Sequence, residues 1–218
     1  MYDKVFVTGS DKNNEWMLEW FLNNFKMHNT TPIVFADFGV SDKVREWADK
    51  EFDSVIEMPK SKGTSWFLKP LTMIETSKVS KKVCWIDTDC HVLRSIDDIF
   101  KYTEPQKLCM GLDKPWTEQF NETWHNSGVV AFEGTPHVLI AWEESVRSTD
   151  NIRGDQEVLH AMMKNDPLRR RVYIKDLPNF YNWLRLQVQN GDDSFNKRVM
   201  HWTGRKGKDQ IRELMKSV

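Results

Sequence analysis

Residues 83–89 read Val83-Cys-Trp-Ile-Asp87-Thr-Asp89, a short apolar run that ends in two carboxylates separated by one residue. A run of four or five apolar residues, rich in β-branched and aromatic types, is typical of a strand buried on both faces of a parallel sheet. Side chains two positions apart in an extended chain point the same way, so Asp87 and Asp89 would share one face. They would lie at the carboxyl end of the strand, the edge at which open α/β sheets bind ligands.

Three earlier runs have the same character, and amphipathic segments separate them. The predicted strands are Lys4–Thr8, Pro32–Ala36, Ser54–Met58 and Lys82–Ile86. The predicted helices between them are Asn13–Met27, with Asp11 as N-cap, then Ser41–Glu51 and Ser65–Ser77. This alternation predicts a doubly wound α/β arrangement over the first 90 residues.

After Asp89 the order of elements changes. Strands are predicted at Lys107–Leu112, Ser127–Phe132, Arg171–Ile174 and Arg198–Thr203, with a Trp-containing loop between the first two. Helices are predicted to begin at the capping box Ser95-Ile-Asp-Asp98 and to cover Thr135–Ser145, Gly154–Lys164 and Lys208–Lys216. The sequence contains no internal repeat and no Gly/Ser linker. We therefore expect one α/β domain over residues 1–218, with a mixed sheet flanked by helices.

Composition excludes several classes of protein. The chain has 218 residues, with 31 basic and 32 acidic side chains and a net charge of −1, which excludes a strongly basic nucleic-acid binder. No apolar run approaches the ~18–20 residues of a membrane span, and the first apolar stretch is too short for a secretory signal. The three cysteines form no CxxC pair and are expected to be free thiols. These features predict a soluble, cytoplasmic protein.

Asp87 and Asp89 predict a metal site. Two adjacent carboxylates repel one another unless a cation lies between them, and carboxylate oxygens are the ligands that Mg²⁺ and Mn²⁺ prefer. The alternative is a strand that runs into a polar turn, with an aspartate as a cap. The dinucleotide fingerprint GxGxxG and the phosphate loop GxxxxGK[ST] are both absent.

Five further segments follow in an informative order. They are Thr8-Gly9-Ser10 after the first strand, Lys69 in a helix, Asn126-Ser127-Gly128 before a strand, Gly154-Asp155-Gln156 at a helix start, and His201-Trp-Thr-Gly204-Arg-Lys206 after the last strand. In this order they resemble the retaining glycosyltransferases of family 8, the group of glycogenin and the bacterial lipopolysaccharide galactosyltransferases. That family has the GT-A fold, a Rossmann-like mixed sheet flanked by helices.

The resemblance implies a function and a set of site residues. It implies transfer of a hexose from a nucleotide-sugar, a UDP-sugar, to a saccharide or other hydroxyl acceptor with retention. Asp87, Asp89 and His201 would hold Mn²⁺ or Mg²⁺, and Asp155 and Gln156 would shape the sugar and acceptor pockets and carry catalysis. The implied donor contacts are Thr8, Gly9, Asp37, Lys69, Asp87, Thr88, Asn126, Ser127, Gly128, Gly204, Arg205, Lys206 and Lys208. Residues 1–90 would form the nucleotide-binding half, and residues 91–218 would complete the acceptor and metal sites.

One departure from the family pattern concerns the phosphate contact. The family usually continues His-x-x-Gly-x-x-Lys-Pro-Trp, whereas here Gly occupies position 207, lysines stand at 206 and 208, and no Pro-Trp follows. Either Lys206 or Lys208 is therefore a candidate for the diphosphate contact. An imidazole added to two carboxylates suits Mn²⁺ somewhat better than Mg²⁺.

Other interpretations stay open at the level of sequence. Asp87-Thr-Asp89 also resembles the motif of haloacid-dehalogenase phosphatases, although that family places it on the first strand. A nucleotidyltransferase and a non-catalytic nucleotide-sugar binder are further alternatives. Individually, Asp155 fits a helix N-cap and His201 an ordinary strand histidine, while Lys69 fits a solvated helix face. Three tryptophans, at positions 116, 124 and 183, fit either core or sugar contacts.

Overall fold

Seven strands form the main sheet of the computed structural model, which describes residues 1–60, 64–149 and 154–216. Their order across the sheet is β3-β2-β1-β4-β7-β6-β8, and among these described strands β7 alone runs antiparallel to its neighbours. The strands of this sheet are β1 Tyr2–Ser10, β2 Ile33–Asp37, β3 Ser54–Glu57, β4 Ser80–Ile86, β6 Leu108–Leu112, β7 His125–Glu133 and β8 Ile174–Asp176. A second sheet has the order β5-β10-β9, with β5 Cys90–Val92, β9 Trp183–Leu184 and β10 Val199–His201.

Helices cover both faces of the main sheet. The α-helices are α1 Leu18–His28, α2 Asp42–Glu51, α3 Lys69–Ser77, α4 Lys114–Phe120, α5 His137–Ser148, α6 Asp155–Met163, α7 Pro167–Tyr173, α8 Arg185–Gln189 and α9 Gly204–Lys216. Short 3₁₀ helices lie at Glu15–Met17, Ser65–Leu68, Asp97–Tyr102 and Asn179–Tyr181. Within the described ranges, no helix combines the length and the apolar content that a membrane crossing requires.

The first half of the chain confirms the predicted alternation. All four predicted strands are present, and each is followed or preceded by the predicted helix. One helix begins later than predicted, because Asp11 accepts hydrogen bonds from the N–H groups of Asn13 and Asn14 in a turn, and α1 starts at Leu18 after a 3₁₀ segment. The strand β3 is only partly buried because it lies at the edge of the sheet.

Two segments of the second half differ from the prediction for a shared reason. The predicted strand at Arg171–Ile174 is wrong: α7 continues to Tyr173, and β8 begins at Ile174. The carboxylate of Asp166 caps α7 by accepting from two backbone N–H groups, and Pro167 follows in the first turn. An Asp-Pro start outweighs the β propensity of the Val and Tyr that follow. The carboxylate of Asp113 caps α4 in the same way, so a segment predicted as a loop contains the helix Lys114–Phe120.

The predicted boundaries at Ser95 and near the C-terminus also change. The hydroxyl of Ser95 accepts from the N–H of Asp97, and the turn that follows is a 3₁₀ helix rather than an α-helix. The last strand, β10, is shorter than predicted and ends at His201. The last helix begins earlier, at Gly204, whose φ of +73° suits a residue without a side chain.

The small sheet joins distant parts of the chain at one edge of the main sheet. In the antiparallel pair β5–β10, His201 lies opposite Cys90, and the N–H of Trp202 donates to the carbonyl of Asp89 at 3.0 Å. The carboxyl ends of β1, β4 and β6 meet the amino end of β7 at this edge, since β7 is antiparallel. The N–H of Asp87 donates to the carbonyl of Gly128 at 2.8 Å.

A layer of aromatic side chains packs one face of the main sheet. Phe6, on the central strand β1, is fully buried, and its ring lies 5.0 Å from the rings of Phe25 and Phe100 in edge-to-face contacts. On the other face, Trp142 of α5 is fully buried and donates from Nε1 to the carbonyl of Asp155 at 2.9 Å. This bond holds the start of α6 against the sheet edge.

We predict that Phe6→Ala lowers the free energy of unfolding by about 3–5 kcal/mol, because it removes two ring contacts and leaves a cavity at the centre of the core. The matched control is Phe195→Ala. Phe195 is 97% exposed, so its loss should change stability by less than about 0.5 kcal/mol. Urea denaturation of both variants measures the difference, and similar losses in the two would contradict this description of the core.

Candidate functional site

A cavity of about 460 Å³ opens at the sheet edge where β1, β4, β6 and β7 meet. Most of the residues predicted from the sequence line this cavity. They are Gly9, Lys69, Asp87, Thr88, Asp89, Asn126, Ser127, Gly128, Asp155, Gln156, His201, Gly204 and Lys208. Four others do not line it: Thr8, Asp37, Arg205 and Lys206.

Two carboxylates and an imidazole meet at the centre of the cavity. Nε2 of His201 lies 3.1 Å from an oxygen of Asp89 and 3.8 Å from Oδ2 of Asp87. His201 is buried, and Cys90, its partner across β5 and β10, is buried as well. The strand histidine therefore faces the carboxylate pair, although the residues are far apart in sequence.

A buried lysine holds the other side of Asp87. Lys69, the first residue of α3, places Nζ 3.0 Å from Oδ1 of Asp87 and 3.2 Å from Oδ2 of Asp155. It also donates to the carbonyl and the hydroxyl of Ser127, both at 3.2 Å. Nε1 of Trp85 donates to Oδ1 of Asp87 at 2.6 Å, so this oxygen contacts both the indole and the lysine. The lysine lies in the site rather than on a solvated helix face.

The charges of the site shift one another's pKa values. Burial raises the pKa of Asp87, and the nearby Lys69 only partly offsets this effect. Burial acts in the same direction on Asp89, but the charge and hydrogen bond of His201, together with the charges of Lys208 and Lys69, outweigh it and lower the pKa of this carboxyl. For Lys69 and His201, burial favours the neutral form, yet the facing carboxylates outweigh it and raise both pKa values. The site is therefore a compact set of opposed charges that needs cations to balance three aspartates.

The absence of a side chain at Gly128 makes room for His201. A Cβ atom at Gly128 would collide with Cε1 and Nδ1 of the imidazole. The same residue binds the main chain of Asp87 through its carbonyl oxygen. Gly128, predicted from the sequence only as a donor contact, thus fixes one carboxylate and the imidazole relative to each other.

A network of amides and one further carboxylate forms the floor of the cavity. Oδ2 of Asp113 accepts from Nδ2 of Asn126 at 3.1 Å and from Nε2 of Gln156 at 3.0 Å. Oε1 of Gln156 accepts from Nδ2 of Asn126 and from the N–H of Ser127. Asp155 is not the N-cap of α6, since Gly154 occupies that position, and its carboxylate instead faces Lys69.

Two members of this network, Asp113 and Asn182, were not predicted from the sequence. Asp113 follows the predicted strand that became β6, just as Asp87 follows β4, so the same rule about strand ends could have found it. Asn182 is buried between Asn126 and His201, and it donates to Oδ1 of Asn126 at 2.9 Å. No sequence pattern marks Asn182, because its partners come from β7 and β10.

Positive charge from α9 reaches the cavity at one position. Lys208 lines it and donates from Nζ to Oδ1 of Asn14 at 2.6 Å. Arg205 and Lys206, also in α9, are exposed and do not line the cavity. Gly204, the first residue of α9, also lines the cavity, and the start of a 13-residue helix carries a partial positive charge. Lys208 is therefore better placed than Lys206 to meet an anion there.

Two of the predicted donor contacts, Asp37 and Thr8, do not line the cavity. The carboxylate of Asp37 accepts from the N–H groups of Gly39 and Val40 and forms an ion pair with Arg45 at 3.0 Å. Thr8 is fully buried within β1. Their predicted role stays a prediction, and Gly9 is the member of this group that lines the cavity.

The tryptophans divide between the core and the cavity. Trp116 and Trp66 line the cavity, and Trp66 is 42% exposed. Trp124 is buried and stacks on His160 with ring centroids 3.4 Å apart, so it belongs to the core. Trp183 donates from Nε1 to the carbonyl of Asp192 and is not among the residues that line the cavity.

The donor set fits a divalent cation. With bonds of about 2.1 Å, an octahedral ion separates neighbouring donors by about 3.0 Å and opposite donors by about 4.2 Å. The distances from Nε2 of His201 to the oxygens of Asp89 and Asp87, 3.1 and 3.8 Å, lie within this range. Cys90 also lies within ligand distance of Asp89 and His201. Burial raises the pKa of its thiol well above the usual value, and the side chain packs in the hydrophobic core.

Comparisons with known proteins identify the fold. No protein-family model matches the sequence, and no curated protein matches it. The galactosyltransferase LgtC, solved in complex with donor and acceptor sugar analogues, is similar with a TM-score of 0.63 and 14% identity, covering 98% of this chain and 96% of LgtC. A glycosyltransferase involved in glycosylation of the major capsid of PBCV-1 has a TM-score of 0.60 and 11% identity, with 99% of each chain covered.

The glycosyltransferase GlyE from Streptococcus pneumoniae TIGR4 is similar as well, with a TM-score of 0.65 and 16% identity. This match covers 93% of the present chain and 55% of GlyE. The chain has the GT-A fold. At these identities the similarity establishes the architecture alone, and the GT-A core with its mixed sheet agrees with the fold expected from the sequence.

The GT-A fold also bears on the phosphatase alternative. The Asp87-Thr-Asp89 motif follows β4, which is the fourth strand along the chain, whereas the haloacid-dehalogenase pattern needs the first strand. Moreover, β4 lies between β1 and the antiparallel strand β7, and the polar residues that line the cavity lie at its carboxyl end. The haloacid-dehalogenase interpretation therefore has no support from the fold.

We predict that Lys69→Ala lowers the free energy of unfolding by about 3–5 kcal/mol at neutral pH, because it leaves the buried carboxylates of Asp87 and Asp155 without their cation. The matched control is Lys78→Ala, just after the same helix, which removes an exposed ion pair with Glu75. The control should unfold like the wild type, since exposed pairs contribute little. Equal losses in the two variants, measured by urea denaturation, would contradict a buried ion-pair role for Lys69.

Proposed function

We propose that the protein is a metal-dependent glycosyltransferase that moves a hexose from a UDP-sugar to an acceptor hydroxyl with retention of configuration. The observation that carries the proposal is the meeting of Asp87, Asp89 and His201 at the edge of a GT-A sheet, beside a cavity of about 460 Å³. The glycosyltransferases with similar structures support the activity class. Mn²⁺ or Mg²⁺ is the proposed cation.

The leaving group sets the electrostatic requirement. Glycosyl transfer releases a nucleoside diphosphate, so negative charge grows on the phosphate oxygens in the transition state. Bound to Asp87, Asp89 and His201, a divalent cation would act as a Lewis acid on this diphosphate. From the chain itself, Lys208 and the first turn of α9 at Gly204 face the same cavity and would stabilise the remaining charge. Arg205 and Lys206, being exposed, would contribute at longer range.

The donor sugar is proposed to lie over the amide network. Asn126, Gln156 and Asp113 present polar atoms to the cavity, and their mutual hydrogen bonds hold them in one arrangement. Such preorganised donors and acceptors suit the hydroxyl groups of a hexose. Gly9, Thr88 and Ser127 also line the cavity, and Gly9, near the end of β1, is the proposed neighbour of the base or ribose.

The partners of two buried carboxylates support the proposal of retention. An inverting enzyme needs a carboxylate free to take the proton of the acceptor hydroxyl. Asp155 faces Lys69, and Asp113 accepts from Asn126, Gln156 and the N–H of Trp116. With both engaged, the leaving diphosphate is the better candidate to assist the acceptor on the same face of the sugar.

We predict that the protein releases UDP from a UDP-sugar only when a divalent cation is present. The experiment is a panel of UDP-, GDP- and ADP-sugars, scored by nucleotide release and by thermal shift, each with and without Mn²⁺. Metal-dependent release with the uracil donors supports the transferase proposal. Binding without release in every combination would favour the non-catalytic binder, and equal responses to all three bases would contradict the uracil assignment.

We predict that Asp89→Ala lowers turnover by a factor on the order of 10²–10³, because it removes a charge that stabilises the transition state through the proposed metal. The matched control is Asp49→Ala on α2, which removes an exposed carboxylate paired with Arg45 and should leave the rate unchanged. UDP release at saturating donor measures both variants. Full activity of Asp89→Ala, or of protein treated with EDTA, would contradict the metal assignment.

A further inference from the structure

We propose that Asn182 is a positioning residue that fixes the tautomer of His201, holding the ring proton on Nδ1 and leaving the lone pair of Nε2 toward Asp87 and Asp89. The inference rests on the proposed function for the use of this nitrogen as a metal ligand. A histidine binds a metal through a neutral ring nitrogen, and the hydrogen bond of the other nitrogen decides which one is available.

A backbone N–H fixes the orientation of the first side-chain amide in this series of hydrogen bonds, that of Asn126. The N–H of Gly128 donates to Oδ1 of Asn126 at 2.9 Å, and a backbone N–H cannot accept. The opposite atom, Nδ2 of Asn126, lies 3.1 Å from Oδ2 of Asp113, and a carboxylate can only accept. The two contacts agree, so the side-chain amide of Asn126 has one possible orientation.

The orientation of Asn126 fixes that of Asn182. Because Oδ1 of Asn126 is an acceptor, the atom of Asn182 that lies 2.9 Å from it must be the donor Nδ2. The other atom of the amide, Oδ1 of Asn182, then lies 2.9 Å from Nδ1 of His201. A carbonyl oxygen only accepts, so Nδ1 of His201 must carry a hydrogen.

The consequence appears on the opposite side of the ring. In a neutral imidazole with a hydrogen on Nδ1, Nε2 has none, and this nitrogen lies 3.1 Å from Asp89. A bare lone pair facing two carboxylates is unfavourable until a cation comes between them. The arrangement therefore suits a metal ligand better than an ordinary strand histidine, which would place a donor toward the carboxylates in its neutral form.

Burial makes this preference strong. Asn182 is 1% exposed and His201 is 3% exposed, so bulk water does not compete for Nδ1. The other neutral tautomer would place two acceptors, Nδ1 and Oδ1 of Asn182, in contact without a hydrogen. Gly128 closes the remaining side of the ring, since any Cβ there would collide with Cε1 and Nδ1.

The test reads the ring protons of His201 in protein labelled with ¹⁵N-histidine, first free of metal and then saturated with diamagnetic Mg²⁺. The ¹⁵N shifts of the wild type should show a proton on Nδ1 of His201 in both states, and Mg²⁺ should remove the proton from Nε2. In Asn182→Ala the population should move toward Nε2–H, and Mn²⁺ affinity, measured by electron paramagnetic resonance, should fall by about 10–100-fold. A wild-type ring with no proton on Nδ1 would overturn the proposal, whatever the variants do.

Two further variants separate positioning from structural damage. Asn182→Asp keeps an acceptor for Nδ1–H, so the wild-type tautomer should persist even where stability falls. Gln187→Ala removes another buried amide, which bonds to Leu184 and Asp192 rather than to His201, and should leave the tautomer unchanged. Loss of the tautomer in Gln187→Ala, or its persistence in Asn182→Ala, would overturn the proposal. If the wild type shows the predicted tautomer but binds no Mn²⁺, the positioning of the ring is supported and the metal-dependent function is refuted.

Discussion

Gly128 has no side chain, so the imidazole of His201 can lie against its main chain at a place where a methyl group would collide with the ring. The carbonyl of the same residue accepts from the N–H of Asp87, and its N–H donates to Asn126. Gly128, near the start of the antiparallel strand β7, therefore fixes the relative positions of the carboxylate motif, the imidazole and the amide network. The small sheet completes the arrangement, because β10 pairs with β5 directly after the motif.

Charge balance is the second constraint on the site. Asp87, Asp89 and Asp155 lie together at the sheet edge, and Lys69 and His201 are the cations that face them. Carboxylates this close are costly unless cations compensate them. A divalent cation bound in place of the Nε2 proton of His201 would compensate the charge of these carboxylates. The same cation would attract the negative charge of the donor's diphosphate. The repulsion between these carboxylates in the metal-free site thus favours binding of the cation, and with it the proposed donor complex.

The sequence predicted the β-α alternation of the first half, because four apolar runs between amphipathic helices leave few arrangements. It failed where an aspartate cap followed by a proline in the first turn began a helix, in the segment predicted as a loop at α4 and in the segment predicted partly as a strand at α7. For the site, the Asp87-Thr-Asp89 motif and the family order of segments gave most of the residues that line the cavity. Asp113 was within reach of the strand-end rule. Asn182 and the contact between Gly128 and His201 were not, because they depend on packing between β7, β10 and the turn before β9, which no local pattern records.

The most direct measurement of the central claim is a crystal structure with Mn²⁺ and UDP, with the ion located by its anomalous signal. We expect a Mn²⁺ ion about 2.0–2.3 Å from Nε2 of His201 and from oxygens of Asp87 and Asp89, with the diphosphate on its far side toward Lys208. An ion more than ~3 Å from Nε2 of His201, or UDP bound without an ion at this edge, would contradict it.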